Sequence, residues 1–243
     1  MITEIKESFQ SNKTAFKMYV DSKMERFRSD TFLTKEPETL EWIRSFKPDS
    51  VFYDVGANIG IYSLYFASLY PKGSVYAFEP SRLNCERLRE NADLNGFCNI
   101  SAINVAVADK YGTACFPEYN EIGESGNQAV NTPFCGNVVF TIPLDGFIAP
   151  NYLKIDVDGA EWKIIQGSVL TLNSPALKSV LIEVDTKVID EETKQPVAEL
   201  IMQMLNDKGF RLSDLNWTSP HSRERREREG IGHIINYIFV RTP

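Results

Sequence analysis

From residue 49 onward, short apolar runs alternate with longer segments whose apolar positions recur at helical spacing. Strands are expected at 51–55 (VFYDV), 74–79 (SVYAFE), 100–108 (ISAINVAVA), 152–157, 179–184 (SVLIEV), 210–214 and 234–240 (IINYIFV). Between them, helices are expected at 59–70, 81–95, 160–171 and 195–208. Pro71 closes the first of these, and Asn95-Gly96 gives the second a natural stop. Alternation of this kind implies a parallel, doubly wound sheet with right-handed crossovers.

Two regions break the alternation. Phe16, Tyr19, Val20, Met24 and Phe27 lie at helical spacing and suggest one or two amphipathic helices over residues 1–30. KEPETLEWIRSF (35–46) is a clearer helix, with Pro37 in its first turn and Leu40, Ile43 and Phe46 on one side. We therefore divide the chain into an N-terminal helical segment, 1–48, and a main domain, 49–243. After Asp109, CFPEY and VVFTIPL read as two strands flanking a polar stretch from Asn120 to Asn137, an inserted hairpin or loop over the cleft that either shapes the acceptor pocket or is an ordinary surface insertion.

The bulk numbers narrow the class. The chain has 243 residues, 43% of them hydrophobic and 24% charged, as expected of a globular domain with an added segment. A net charge of −7 offers no basic footprint for nucleic acid. There is no apolar leader at the start and no run of about 18 apolar residues, so neither secretion nor a membrane span is expected. Cys85, Cys98, Cys115 and Cys135 are scattered without C-x-x-C spacing, which fits reduced thiols in a cytoplasmic protein rather than zinc ligands or a disulfide framework.

The chemistry starts at VFYDVGANIG (51–60). A strand ends in an acid, Asp54, and a tight turn with Gly56 and Gly60 opens a helix. Asn58 stands between the glycines and tolerates a left-handed backbone. A second acid, Glu79, follows at about the distance of a ribose-binding carboxylate, ~20 residues. A dinucleotide fingerprint needs a glycine that this chain lacks, and Asp54 would repel a pyrophosphate. The same acid suits the ammonium of a methionine moiety, so the βαβ unit points to S-adenosylmethionine.

FYDVGANIGIYSLYFA, VYAFEPSRLNCERLRENADLN and LKIDVDGAEWKIIQGS occur in that order. Together they resemble the FkbM family of S-adenosylmethionine-dependent methyltransferases, over roughly residues 36–185. One departure is Asp158, where the family usually has Glu. The resemblance implies a Rossmann-like class I methyltransferase sheet and O-methylation of a small molecule or sugar hydroxyl. By analogy, the N-terminal segment covers the cofactor cleft, the alternative being a helix packed on the sheet edge. Asn104 and Ala106 would then lie at the adenine, with Ala106 leaving room for the ring. The cofactor-binding set is thus Asp54, Gly56, Asn58, Gly60, Glu79, Asn104 and Ala106.

Asp156, at the end of its strand, is the candidate catalytic residue, placed to orient the acceptor hydroxyl or take its proton. Asp158 and Glu161 have the spacing of a capping box. Asp156, Asp158 and Glu183 could together hold Mg²⁺, although nothing in the sequence demands a metal. Lys154 reads as a strand-end charge. His221 and the sign-alternating RERRERE run read as a solvated loop before the last strand. The loops at 118–137 and 217–233 are expected to help form the acceptor pocket. Non-catalytic cofactor binding, an NAD-dependent oxidoreductase and a nucleic-acid methyltransferase are the competing readings. The last lacks an Asn-Pro-Pro-Tyr-type motif, a Pro-Cys pair and a basic patch. The sequence does not specify an oligomeric state.

Overall fold

The computed structural model describes residues 1–9, 12–116, 121–125, 137–214, 227–228 and 230–242. It begins with a β-hairpin, in which β1 (Ile2–Phe9) pairs antiparallel with β2 (Asn12–Tyr19). This corrects the helical expectation over residues 2–19. The burial period is two: Thr14, Phe16, Met18 and Val20 are buried while Ala15 and Lys17 are exposed, as for a strand with one face on a core. Helix starts only at α1 (Lys23–Lys35), which Ser22 and Glu25 cap reciprocally. α2 (Pro37–Arg44) follows and buries Leu40, Trp42 and Ile43.

The chain then enters the main sheet at β3 (Val51–Val55) and continues through α3 (Ile61–Leu69), β4 (Ser74–Phe78), α4 (Arg82–Asn95) and β5 (Ile100–Ile103). Ser81 caps α4, and Gly96 ends it in a left-handed conformation. The strand expected at 100–108 stops at Ile103. β6 (Ala106–Val107) leaves the main sheet to pair parallel with β8 (Asn137–Ile142), which pairs antiparallel with β7 (Gly112–Phe116). The insertion is therefore a small three-stranded sheet, β6-β8-β7.

After the insertion come β9 (Tyr152–Ile155), α5 (Glu161–Gln166), α6 (Val169–Asn173), β10 (Ser179–Asp185), α7 (Val197–Asp207), β11 (Phe210–Leu212) and β12 (Ile234–Arg241). The helix expected over 160–171 is two helices. The chain breaks at Gly167, where a Cβ would sit 2.3 Å from the Ala108 carbonyl oxygen. The main sheet has the order β11-β12-β10-β9-β3-β4-β5. Its β10, β9, β3, β4 and β5 are parallel, and β12 runs antiparallel to both β10 and β11. The fold is thus the expected doubly wound, Rossmann-like α/β sheet. Strand order reverses beside β3, which opens a cleft at the carboxyl ends of β3, β4 and β9.

The pleat separates two cores. Phe52, Val75, Ala77, Tyr152 and Leu181 face the hairpin and α1–α3. Tyr53, Val55, Leu153, Ile155 and Val180 face α5–α7. The hairpin therefore shares a core with the sheet, joined to it through Phe16, Phe32 and Tyr65, whose rings lie 5.3–6.5 Å apart. Cys85 and Cys98 are free thiols. Cys115 is disulfide-bonded, which corrects the expectation of reduced thiols throughout. Among the described residues, no helix is long and apolar enough to cross a membrane.

Candidate functional site

The turn after β3 is held by its backbone. Gly56 (φ +80°) and Ala57 both donate to the Phe78 carbonyl, at 2.9 and 3.1 Å. A Cβ at Gly56 would lie 1.8 Å from the Asp156 carbonyl oxygen, so only glycine lets β3 and β9 end this close together. Gly60 (φ +85°) packs directly on Leu88, 2.5 Å from where its Cβ would be. Asn58 takes the left-handed conformation (φ +52°). Its N–H donates to Glu79 Oε2 at 2.8 Å, and its side-chain amide to the Glu124 carbonyl at 2.9 Å.

Glu79 follows β4. Its Oε1 accepts from the Ser81 N–H at 2.9 Å. Each carboxylate oxygen therefore keeps a lone pair beyond its backbone bond, in a side chain lining the cleft. Burial pushes this carboxyl up to about 7, against the pull of its two backbone donors. Asn104 does not line the cleft. Its side-chain amide donates to the Glu79 and Pro80 carbonyls, at 2.8 and 2.9 Å, so it clamps the chain that presents Glu79. Ala106 lines an adjoining apolar compartment with Phe78, Pro80, Val105 and Phe116.

Asp54 lies beneath the cleft instead of in its lining. It is fully buried, accepts from Ser63 Oγ at 2.7 Å, and its Oδ1 has no hydrogen-bond partner. Lys154 Nζ is 3.9 Å from that oxygen and 2.7 Å from Asp156 Oδ2. Lys154 is itself buried, with its ammonium 5.0 Å from the Tyr62 ring centroid. Asp156 and Asp54 hold its ammonium well above the ordinary lysine range despite burial. Burial pushes the Asp54 carboxyl up, partly offset by Lys154 and Ser63. The supposed strand-end charge is thus a bridge between two acids, one buried and one in the cleft wall.

The cleft holds a cavity of about 110 Å³. Gly56, Asn58, Glu79, Asp156, Asp158 and Glu183 line it, joined by Arg28 and Lys35 from α1. Neither cation was singled out by motif, since both lie in the segment read only for periodicity; the Ser22-x-x-Glu25 capping signal marks their helix. Lys35 Nζ lies 2.8 Å from Glu36 Oε1, and Glu36 Oε2 accepts from the Tyr62 hydroxyl at 2.7 Å. Glu36, with Glu183 and Asp156 behind it, raises the Lys35 ammonium. Arg28 Nε donates to the Gly123 carbonyl at 2.8 Å.

Asp158 is left-handed (φ +57°) and does not cap a helix. α5 begins after Ala160 with no side-chain cap, and the Glu161 carboxylate reaches back to the Gly159 N–H at 2.8 Å. This corrects the capping-box assignment: the left-handed pair Asp158-Gly159 delays the helix start. Burial pushes the Glu161 carboxyl up to about 7. Asp156, Asp158 and Glu183 share the cleft, but among the described residues no three His, Cys, Asp or Glu side chains are grouped to hold a metal ion. His221, most of RERRERE and most of the 118–137 and 217–233 loops lie outside the described residues.

Residues 54–212 match the methyltransferase FkbM domain. The chain is 28% identical to the hexuronic acid methyltransferase AglP of Haloferax volcanii over 158 residues, 62% of either chain. It is 33% identical to the 2-O-methyltransferase NoeI of Sinorhizobium fredii over 148 residues, 52% of this chain and 60% of that one. The chain thus spans about three fifths of the length of these two relatives. Its fold resembles a methyltransferase FkbM structure from Methylobacillus flagellatus, with TM-score 0.54, 16% identity, and coverage of 91% of this chain and 55% of that one.

Proposed function

The chain belongs to the methyltransferase FkbM family, and from that premise we propose that it carries a methyl group from S-adenosylmethionine to a hydroxyl of a small-molecule or sugar acceptor. The observation that carries this reading is the pairing of Glu79 and Asp156 at the ends of β4 and β9 in one cleft. The lone pairs of Glu79 suit two ribose hydroxyls, and the apolar compartment beside Ala106 suits adenine. The cofactor supplies an electrophilic methyl on a sulfonium. Asp156, 26% exposed at its side chain, would accept the acceptor's hydroxyl hydrogen and take its proton as the oxygen bonds to the methyl carbon and the methyl–sulfur bond breaks, leaving the neutral thioether S-adenosylhomocysteine. Lys154 holds that carboxylate in place, and Asp54 acts on the site through Lys154 rather than by touching the cofactor. The names of the two relatives favour oxygen as the acceptor atom and a sugar as its carrier.

Calorimetric titration with S-adenosylhomocysteine, run beside NAD⁺, tests the cofactor. Binding of the former alone, lost in Glu79→Ala, is expected; binding of NAD⁺ alone overturns the reading. Transfer of labelled methyl from S-adenosylmethionine into neutral sugars, uronic acids and hydroxylated small molecules then tests the reaction. Asp156→Ala should abolish transfer while keeping S-adenosylhomocysteine affinity. A variant that transfers at the wild-type rate removes Asp156 from the chemistry.

A further inference from the structure

Two cleft-lining residues come from outside the matched domain, Arg28 and Lys35 of α1. They are seven residues apart on one helix, about 10 Å along its axis. The other charged residues of the lining are acids: Glu79, Asp156, Asp158 and Glu183. The proposed cofactor presents two ribose hydroxyls, an ammonium and one carboxylate. Acids suit the first two groups. The carboxylate needs donors, and Arg28 and Lys35 are the charged donors of that lining, beside the uncharged polar Asn58 and Ser125.

Arg28 and Lys35 differ in what already holds them. Lys35 is paired with Glu36 at 2.8 Å, with Glu183 and Asp156 adding to the field around it. Arg28 spends only its Nε, on the Gly123 carbonyl. Among the described residues, neither Nη group has a hydrogen-bond or ion-pair partner. The guanidinium is near enough to the ribose-binding acid for its charge to act on Glu79. It is also fixed in orientation, because the Gly123 N–H is tied to Asn84 Oδ1 at 2.8 Å. A guanidinium anchored at Nε and open at Nη is preorganised for a planar carboxylate.

We infer that Arg28 binds the methionyl carboxylate of the cofactor and so sets the preference for an amino-acid-bearing nucleoside. The assignment rests on the proposed cofactor. The test is calorimetry of the purified chain with S-adenosylhomocysteine and with its decarboxylated analogue, S-adenosyl-3-thiopropylamine. Wild type, Arg28→Met, Arg28→Lys and Lys35→Met are compared, with thermal melts to confirm folding. Wild type should prefer S-adenosylhomocysteine by roughly 10- to 100-fold, the range of a hydrogen-bonded charge pair. Arg28→Met should erase that preference by weakening S-adenosylhomocysteine alone. Arg28→Lys should restore part of it, and Lys35→Met should leave it intact. Equal weakening of both ligands by Arg28→Met, or loss of the preference in Lys35→Met, overturns the assignment. Binding of neither ligand by folded wild type overturns the cofactor reading itself, and Arg28's role with it.

Discussion

The buried carboxylate of Glu79 should make cofactor binding depend on pH in a defined direction. Burial lifts it to about 7. Two ribose hydroxyls donating to it favour the ionised form and lower that value on binding. Below about 7 the free site must therefore lose a proton to bind, so affinity rises with pH and levels off above 7. If the bound value falls back to the ordinary 4.5, S-adenosylhomocysteine should bind about tenfold more tightly at pH 8 than at pH 6, or about 1.4 kcal/mol. Titration at pH 6 in buffers of different ionisation heats should show close to one proton released per ligand. Glu79→Gln should bind more weakly at pH 8 and lose the slope, whereas Glu161→Gln, whose carboxyl also lies at about 7, should keep it. A wild-type affinity flat between pH 6 and 8, or an unchanged slope in Glu79→Gln, would refute the assignment of this carboxylate to the ribose.

Gly56→Ala should abolish detectable S-adenosylhomocysteine binding and lower Tm, because left-handed strain of about 1–2 kcal/mol adds to a Cβ placed 1.8 Å from backbone. Gly96→Ala is its control, having φ +66° and nothing within 4 Å, so its melt should shift by strain alone. Lys154→Met strands two acids and should cost roughly 3–5 kcal/mol in urea unfolding. Adding Asp54→Asn should recover part of that, and no recovery would contradict the bridge. Glu161 has a folded value above its ordinary 4.5, so its contribution is complete below 4.5 and is lost as pH rises through about 7. Glu161→Gln should therefore flatten the fall in unfolding free energy between those values, and curves parallel to wild type would disprove it.

The strands of the main sheet were legible because each is a short apolar run bounded by a turn signal, and the acids at their ends were legible with them. Asp54 shows where that reading stopped. Strand alternation puts Asp54 on the same face as Phe52, toward α3, where Ser63 meets it. A motif locates the acid at the strand end but does not say which face it takes. Lys154 was misjudged for a related reason. The sheet register sets it directly beside Asp54, and register between strands about 100 residues apart is not written in either strand alone. The hairpin failed differently. Phe16, Val20, Met24 and Phe27 satisfy a helical period, while Phe16, Met18 and Val20 satisfy a period of two, and packing against α3 and α4 decides for the second. Asn104 was placed near the right strand end, but its side chain goes to the Glu79 and Pro80 carbonyls.

The start of α1 and the glycine turn after β3 are also mechanically one unit. Residues 121–125 are bonded to three elements at once. The Ser22 hydroxyl donates to the Ile122 carbonyl at 2.7 Å, and the Lys23 N–H to Glu121 Oε1 at 2.6 Å, which ties them to the start of α1. Asn84 of α4 accepts from the Gly123 N–H and donates to the Glu124 carbonyl at 3.1 Å. Asn58, in the glycine turn, donates to that same Glu124 carbonyl. Asn58 thus uses its backbone to hold Glu79 and its side chain to hold residues 121–125. A glycine at this position would satisfy the backbone geometry and still lose the second function. That explains why a residue in the left-handed region is an asparagine here, and why the helix carrying Arg28 and Lys35 is fixed against the cleft.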